Sequence, residues 1–189
     1  SVSMLRLWAI NTVDGDAAPA RCAEDGVTLT PHYGYNLQFG AWLQVLGSST
    51  LGRCFLSLVP TDKGWKIGAW DIQQWSHRDK DYMAWFEEGR KSMAAGNKMK
   101  AFAEFDIAVK LVENSKFVEV DDLANLRKSR DDAMNADDWR KAIVEAIKDR
   151  DPIHVGTLLA EDGIGVIVRI RLSEEKSTVA LKQLCEGVG

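Results

Sequence analysis

Few residues in this sequence are candidates for chemistry, and Asp71 comes first among them. Asp71 lies between Trp70 and Ile72 in a run of alternating polarity. A carboxylate among aromatic side chains is a candidate general base. The other interpretation places Asp71 on the solvent-facing side of a strand whose opposite side is buried, and we prefer it.

His77 is the second catalytic candidate, because a histidine titrates near neutral pH and can accept a proton. The sequence contains no Gly-x-Ser-x-Gly motif, no Walker phosphate-binding loop and no dinucleotide fingerprint. These motifs mark many enzymes that use a serine nucleophile or a nucleotide. We therefore name Asp71 and His77 as catalytic candidates and lean towards a protein that is not an enzyme.

The three cysteines, Cys22, Cys54 and Cys185, are widely spaced and include no Cys-x-x-Cys pair. This spacing argues against a zinc site and against a thioredoxin-type redox motif. We predict no metal and no cofactor. A disulfide between Cys22 and Cys54 is one possibility in an exported protein. The alternative, which we prefer, is three unpaired and mostly buried thiols.

The composition is that of a globular chain. Its 189 residues are 46% hydrophobic and 28% charged, which is enough for a sizeable core. A net charge of -4 argues against nucleic acid as a partner, because binding to phosphates requires clustered Lys and Arg. No apolar run approaches the roughly 20 residues that span a bilayer.

The opening Ser1-Val2-Ser3 is compatible with a removed leader or with a start at Met4. We favour an exported location, periplasmic or in the cell envelope, over a cytoplasmic one.

Alternating polarity predicts a three-strand meander between Tyr35 and Trp75. Its first strand has one apolar face, which we expect to be buried. That face consists of Tyr35, Leu37, Phe39, Ala41, Leu43 and Val45. In the last strand the apolar phase changes near Gly68, and a β-bulge there would account for the change.

The tryptophans concentrate in the same region, since six of the seven precede residue 86. We expect Trp65, Trp75 and Trp85 to be core residues. Trp42 has the opposite phase to the apolar face of its strand, so we expect an exposed contact or a pocket wall. Tyr35, Trp42 and Trp70 are therefore the candidates for contact with a ligand or a partner.

The meander resembles the sheet of the nuclear transport factor two-like (cystatin-like cone) superfamily. The resemblance rests on long strands that end in a Gly64-Trp65-Lys66-Ile67 segment, and it covers about 45 residues. It implies a curved antiparallel sheet. It also implies, if Asp71 points into the concave face, a site like those of the isomerases and dehydratases of that superfamily.

The segment from Tyr82 to Leu111 resembles a single tetratricopeptide helical hairpin. The matching residues are Trp85, Gly89, Gly96, Ala101, Phe105 and Ala108. Such hairpins have small residues where their two helices cross. Because stable solenoids need about three repeats, we expect this hairpin to pack on the sheet and not to form a peptide-binding groove.

Further elements complete the predicted fold. We expect helices over 121–134 and from Ala136 to Pro152, a hairpin of 153–159 with 164–172, and a final helix carrying Val179, Leu181 and Leu184. The predicted fold class is α+β: a curved antiparallel β-meander packed with a helical hairpin, plus a small C-terminal α+β unit. The predicted regions are 1–80, 81–134 and 135–189.

The leading functional hypothesis is a non-catalytic binding or scaffold module of bacterial type, with a setting in the cell envelope. It would use the aromatic sheet face or the helical hairpin to bind a protein partner or a small apolar ligand. The first alternative is a small-molecule enzyme of the isomerase or hydrolase type, with Asp71 or His77 as base in an aromatic pocket. The second is a structural self-assembly domain that forms a homodimer by burying Trp42 against a second copy. A flat, exposed apolar face would favour the dimer.

Overall fold

The structure is a computed structural model that describes residues 1–12, 14, 18–24, 26–32, 34–47, 51–135, 141, 145, 152–159 and 164–170. Within these residues, antiparallel sheets pack with helices, so the predicted α+β class is confirmed. The elements are β1 (Val2–Asn11), β2 (Ala20–Cys22), β3 (Val27–Leu29), β4 (Leu37–Leu46), β5 (Leu51–Thr61), β6 (Gly64–Gln74), β7 (Ser76–His77), β8 (Lys80–Asp81), α1 (Tyr82–Ala94), α2 (Lys98–Lys110), β9 (Val118–Val120), α3 (Leu123–Met134), β10 (Pro152–Leu159) and β11 (Ile164–Ile170).

The largest sheet has the strand order β1-β4-β5-β6, and every neighbouring pair is antiparallel. Strands β4, β5 and β6 are the predicted meander. Gly64 turns the chain between β5 and β6 with a φ of +103°, a conformation that glycine adopts without strain. The predicted bulge is confirmed, because the pairing of β5 with β6 skips Gly68.

Residues paired across an antiparallel sheet point to the same side, so the registers define two faces. The face directed at the core, here called the inner face, consists of Ser3, Arg6, Trp8, Ile10, Gln38, Gly40, Trp42, Gln44, Arg53, Phe55, Ser57, Val59, Lys66, Ala69, Asp71 and Gln73. The opposite side, here called the outer face, consists of Val2, Met4, Leu7, Ala9, Asn11, Leu37, Phe39, Ala41, Leu43, Val45, Gly52, Cys54, Leu56, Leu58, Pro60, Trp65, Ile67, Trp70, Ile72 and Gln74; its polar residues Asn11 and Gln74 lie in the end rows.

The two faces of β4 are the reverse of the sequence prediction. Trp42 is buried at 7% exposure, whereas Leu37, predicted to be buried, is 39% exposed. The inner face accepts the polar Gln38 because its amide bonds to the backbone of His32, with His32 N donating to Oε1 at 2.7 Å and Nε2 donating to His32 O at 2.8 Å. Position 40 on this face is a glycine because the ring of Phe55 leaves no room for a side chain: a Cβ there would lie 3.0 Å from that ring.

The predicted helical hairpin is formed by α1 and α2. The Asp81 side chain caps α1 by accepting from Ala84 N at 2.9 Å, and Gly96, with a φ of +77°, ends the turn that follows it. The Asn97 side chain caps α2 by accepting from Lys100 N at 3.3 Å. These caps satisfy backbone N–H groups that a helix leaves unpaired at its start.

Helix α2 lies at the centre of the molecule, and all nine residues from 101 to 109 are buried. One side joins the core beneath the inner face, together with Trp42, Phe55, Trp75 and Trp85. Another side packs Phe102 and Phe105 with Ala133 of α3. The hairpin therefore packs into the core with the sheet, and Trp75 and Trp85 are core residues as predicted.

A small second sheet has the order β2-β3-β9. It pairs residues near position 28 with residues near position 119, so the N-terminal region and the segment after α2 share hydrogen bonds. Arg21 and Asp121 add an exposed ion pair at 2.7 Å. The predicted region boundaries at 80/81 and 134/135 stay predictions.

The C-terminal hairpin of β10 and β11 is confirmed, and a buried polar cluster attaches it to α2. The Asp106 carboxylate accepts from Thr157 N at 2.9 Å and from Thr157 Oγ1 at 2.7 Å. The Nζ atom of Lys110 lies 2.9 Å from Asp106 Oδ2 and also donates a hydrogen bond to Thr157 O. The predicted helix from Ala136 falls almost wholly outside the described residues, and the predicted final helix falls wholly outside them.

The crossing of α1 and α2 gives the first prediction. A Cβ on Gly89 would lie 2.5 Å from ring carbons of Phe105, so Gly89→Ala should lower the free energy of unfolding by about 1–3 kcal/mol. This loss should outweigh the roughly 1 kcal/mol that alanine gains in helix propensity. Urea denaturation measures it. In a Phe105→Leu background, which clears the space, Gly89→Ala should cost less, and an equal cost in both backgrounds would rule out this contact as the cause.

Candidate functional site

The inner face carries one unusual side chain, Arg53, whose guanidinium group packs against two indole rings. Its guanidinium carbon is 4.4 Å from the ring centroid of Trp42 and 4.1 Å from that of Trp75. The two rings meet edge to face, with centroids 5.2 Å apart. Stacking of this kind stabilises a cation electrostatically where water is scarce. Burial lowers the pKa of Arg53, with Tyr82 and Asp81 acting in the opposite sense, but an arginine stays a cation in proteins.

Arg53 lines a cleft at the β6 edge of the sheet. The other lining residues are Trp42, Phe55, Asp71, Gln73, Trp75, Ser115 and Val118. The empty volume is about 220 Å³, part of it open to solvent. Ligand pockets usually measure about 300–1,000 Å³, so this cleft is smaller than the usual range.

Asp71 lies in this cleft, half-buried on the inner face. Its Oδ2 atom accepts from Gln73 Nε2 at 3.0 Å and from Lys116 N at 3.2 Å. The preferred sequence interpretation, a solvent-facing Asp71, is therefore wrong. The two hydrogen bonds give the carboxylate a structural role, because they tie β6 to the segment that leads into β9.

Two buried polar atoms in the cleft have no hydrogen-bond partner, Arg53 Nε and Gln73 Oε1. Their residues are paired neighbours on β5 and β6, and one is a donor whereas the other is an acceptor. Both atoms therefore remain available to water or to a small polar ligand.

His77 lies away from this cleft, in the short hairpin of β7 and β8. Arg78 and Asp79 form its two-residue turn, with φ values of 52° and 59°, the pattern of a type I′ hairpin turn. The His77 ring stacks on Trp85 with centroids 6.0 Å apart, and His77 O accepts from Trp85 Nε1 at 3.1 Å. Asp71 and His77 are thus not brought together.

The three contact candidates are also separated. Trp42 is a wall of the cleft, which was one of its two predicted positions. Tyr35 lies in the loop before β4, where its ring meets His32 edge to face at 6.3 Å. Trp70 lies on the outer face and is 65% exposed, the largest value among the exposed large hydrophobic residues.

The outer face is the most unusual surface of the described chain. Three neighbouring rows of four paired residues cross the sheet, and all twelve are apolar or, in one case, a cysteine. These rows are Met4, Leu43, Cys54 and Ile72; Leu7, Ala41, Leu56 and Trp70; and Ala9, Phe39, Leu58 and Ile67. Burial raises the pKa of the Cys54 thiol, and the Asp71 charge acts in the same direction, so the thiol is uncharged at neutral pH.

Large side chains of this face are open to solvent. Besides Trp70, the exposed ones include Met4 at 63%, Ile67 at 58% and Ile72 at 53%. Trp65, predicted to be core, is 48% exposed on the same face, where it packs edge to face on Phe39. The bulge at Gly68 brings Trp65 and Ile67 to the same side as Trp70 and Ile72, and the prediction failed because that side of the sheet is the exposed one.

Other site types find less support in the part of the chain that the structure describes. There, no three His, Cys, Asp or Glu side chains come together as possible metal ligands. No helix among these residues combines the length and the apolar character needed to cross a membrane. Cys54 carries a free thiol, so it does not form the disulfide that was considered with Cys22.

No protein-family model, no curated protein and no solved structure matches this chain. The resemblances to the cone superfamily and to a tetratricopeptide hairpin therefore stay predictions.

Sequence reasoning missed Arg53 and Gln73 as cleft residues. Alternation along each strand places Arg53 on the same side as Phe55, and Gln73 on the same side as Asp71. That signal became usable only once the register of β5 against β6 was known.

The role assigned to Asp71 gives the second prediction. Asp71→Ala removes both hydrogen bonds of the carboxylate and should lower the free energy of unfolding by about 1–3 kcal/mol. Asp71→Asn keeps an acceptor oxygen, so its cost should be clearly smaller. Urea denaturation measures both, with Asp62→Ala in the exposed turn before β6 as the control. If Asp71→Ala cost no more than the control, the structural role would be wrong.

His77 gives the third prediction. Burial, and then the charge of Arg78, lowers the pKa of His77 in the folded protein. The unfolded chain therefore binds the proton more readily, and stability that is fully present above pH about 6.5 should be lost as the pH falls below that value. His77→Phe keeps an aromatic ring beside Trp85 but cannot titrate. Its unfolding free energy, measured by urea denaturation across this range, should depend less on pH than that of the unmodified protein. Equal pH dependence would show that His77 is not the cause.

Proposed function

We propose that this protein is a non-catalytic interaction module whose binding surface is the outer face. The observation that carries the proposal is the block of twelve uncharged side chains in three adjacent rows. Single exposed apolar residues are common on proteins, but contiguous apolar patches of several hundred Å² mark interaction sites.

The chemistry of the face specifies what it binds. A charged or strongly polar surface would lose its hydration against these rows without gaining hydrogen bonds in return. The partner is therefore an apolar protein surface. The setting in a bacterial cell envelope is part of the proposal and rests on the sequence resemblance alone.

An enzyme of the isomerase or hydrolase type is the second candidate, favoured by the position of Asp71 in a cleft walled by Trp42 and Phe55. Against it stand the small volume of the cleft and the structural hydrogen bonds of Asp71. His77, the other candidate base, is not among the residues that line this cleft. A small molecule that raised the unfolding temperature of the protein, but not that of its Asp71→Asn variant, would favour this candidate.

The fourth prediction tests the interaction module in the cells that make the protein. A photoreactive benzoylphenylalanine in place of Trp70 should cross-link to a discrete polypeptide when illuminated, because Trp70 is the most exposed large residue of the face. The same replacement at Met99, which is 49% exposed at the start of α2, is the control and should give no such product.

Adding Ile72→Lys to the position-70 variant places a charge beside the probe and should abolish the product. No cross-link at position 70, or a cross-link that Ile72→Lys leaves unchanged, would overturn the proposal.

A further inference from the structure

We propose that the partner of the outer face is a second copy of this chain, and that two sheets pack face to face in a symmetric homodimer. This inference rests on the proposed function and names its partner. The proposed dimer interface consists of the outer face only. The sequence hypothesis of a dimer that buries Trp42 does not fit, because Trp42 is already buried within one chain.

The composition of the face favours a copy of itself over a different protein. Interfaces between different, separable proteins are about as polar as the rest of the surface, whereas homodimer interfaces are more apolar. The twelve residues of the central rows include no Asp, Glu, Lys, Arg or His. Such a surface is typical of one that stays covered.

The area of the face matches what a stable dimer needs. Four strands at about 4.8 Å spacing, and nine or ten residues rising about 3.3 Å each, give roughly 19 Å by 30 Å, or about 600 Å² before side-chain relief is counted. A standard interface buries about 800 Å² on each partner. Projecting side chains such as Trp70, Met4 and Ile67 add to the flat area, so the whole face is of the required size.

The shape of the face is compatible with two-fold symmetry. Packed sheets lie about 10 Å apart with their strands about 30° from parallel. A two-fold axis that lies between the sheets, close to the strand direction, places β6 of one copy over β1 of the other. Trp70 on β6, 65% exposed, then faces β1 of the other copy, whose Leu7 is 51% and Met4 63% exposed. The most exposed apolar side chains of the two edge strands thus cover one another, and the contact closes on itself.

The test is sedimentation equilibrium of the purified full chain from low micromolar to several hundred micromolar. The unmodified protein should show a concentration-dependent dimer. Trp70→Lys and, separately, Ile72→Lys should raise the dissociation constant at least about tenfold, because each would bury an unpaired ammonium group in the interface. Both positions are exposed in the single chain, so the variants should fold, as circular dichroism would verify. If one does not fold, the other carries the test.

Met99→Lys is the matched control, since it also replaces an exposed apolar side chain by lysine but lies at the start of α2. It should leave the dissociation constant unchanged. A protein that is monomeric at every concentration would overturn the homodimer, and so would a dimer that neither lysine on the outer face weakens. In either case, a cross-link from position 70 to a different polypeptide would leave the interaction module standing, whereas its absence would remove both proposals.

Discussion

The structure depends on how one four-stranded sheet divides its side chains between two faces. Antiparallel pairing fixes this division, because each pair of opposed residues points to the same side and a one-residue slip would exchange the faces. Here the inner face collects the polar residues Gln38, Arg53 and Gln73 together with Trp42 and Phe55. The outer face collects nearly all the aliphatic residues. An antiparallel sheet more often shows the reverse, with a polar side left to solvent.

The inner face tolerates polar groups because most of them have partners supplied by the fold. Gln38 bonds to the backbone of His32, and Asp71 bonds to Gln73 and to the backbone of Lys116. Arg53 has aromatic faces in place of a carboxylate. Helix α2 then fills the space beneath, and the Asp106 cluster holds the C-terminal hairpin on its far side. The large exposed residues of the outer face, such as Trp70, Met4 and Ile72, lie outside this core, and the proposed binding role would account for them.

The sequence predicted the elements well and their orientation poorly. Period-two and helical patterns located β4, β5, β6, α1, α2 and α3 to within a few residues, because these patterns depend on neighbouring residues only. The assignment of faces failed at β4, where alternation was read with the usual assumption that apolar residues point inward. Correcting it required Gln38 and Gly40 to be recognised as inner residues. Their reasons for being inside, the His32 backbone and the Phe55 ring, come from other strands or loops.

The candidate binding surfaces, like the sheet faces, could be predicted from sequence only in part. The bulge at Gly68 could be predicted from sequence, because the apolar phase changes within one strand. The cleft around Arg53 and the joining of the outer rows across four strands could not, because both depend on register between segments separated by turns and, for β1, by a long intervening stretch of chain.

Thiol labelling at one position on each face measures directly whether the outer face is open in the single chain. In a chain whose three cysteines are replaced by serine, Ile72→Cys reports on the outer face and Ser57→Cys, a near-isosteric change at a site 5% exposed, reports on the inner face. At high dilution, where copies are separate, the account predicts rapid labelling at position 72 and slow labelling at position 57. Slow labelling at position 72 under these conditions would contradict it, because the face would then be covered within the single chain.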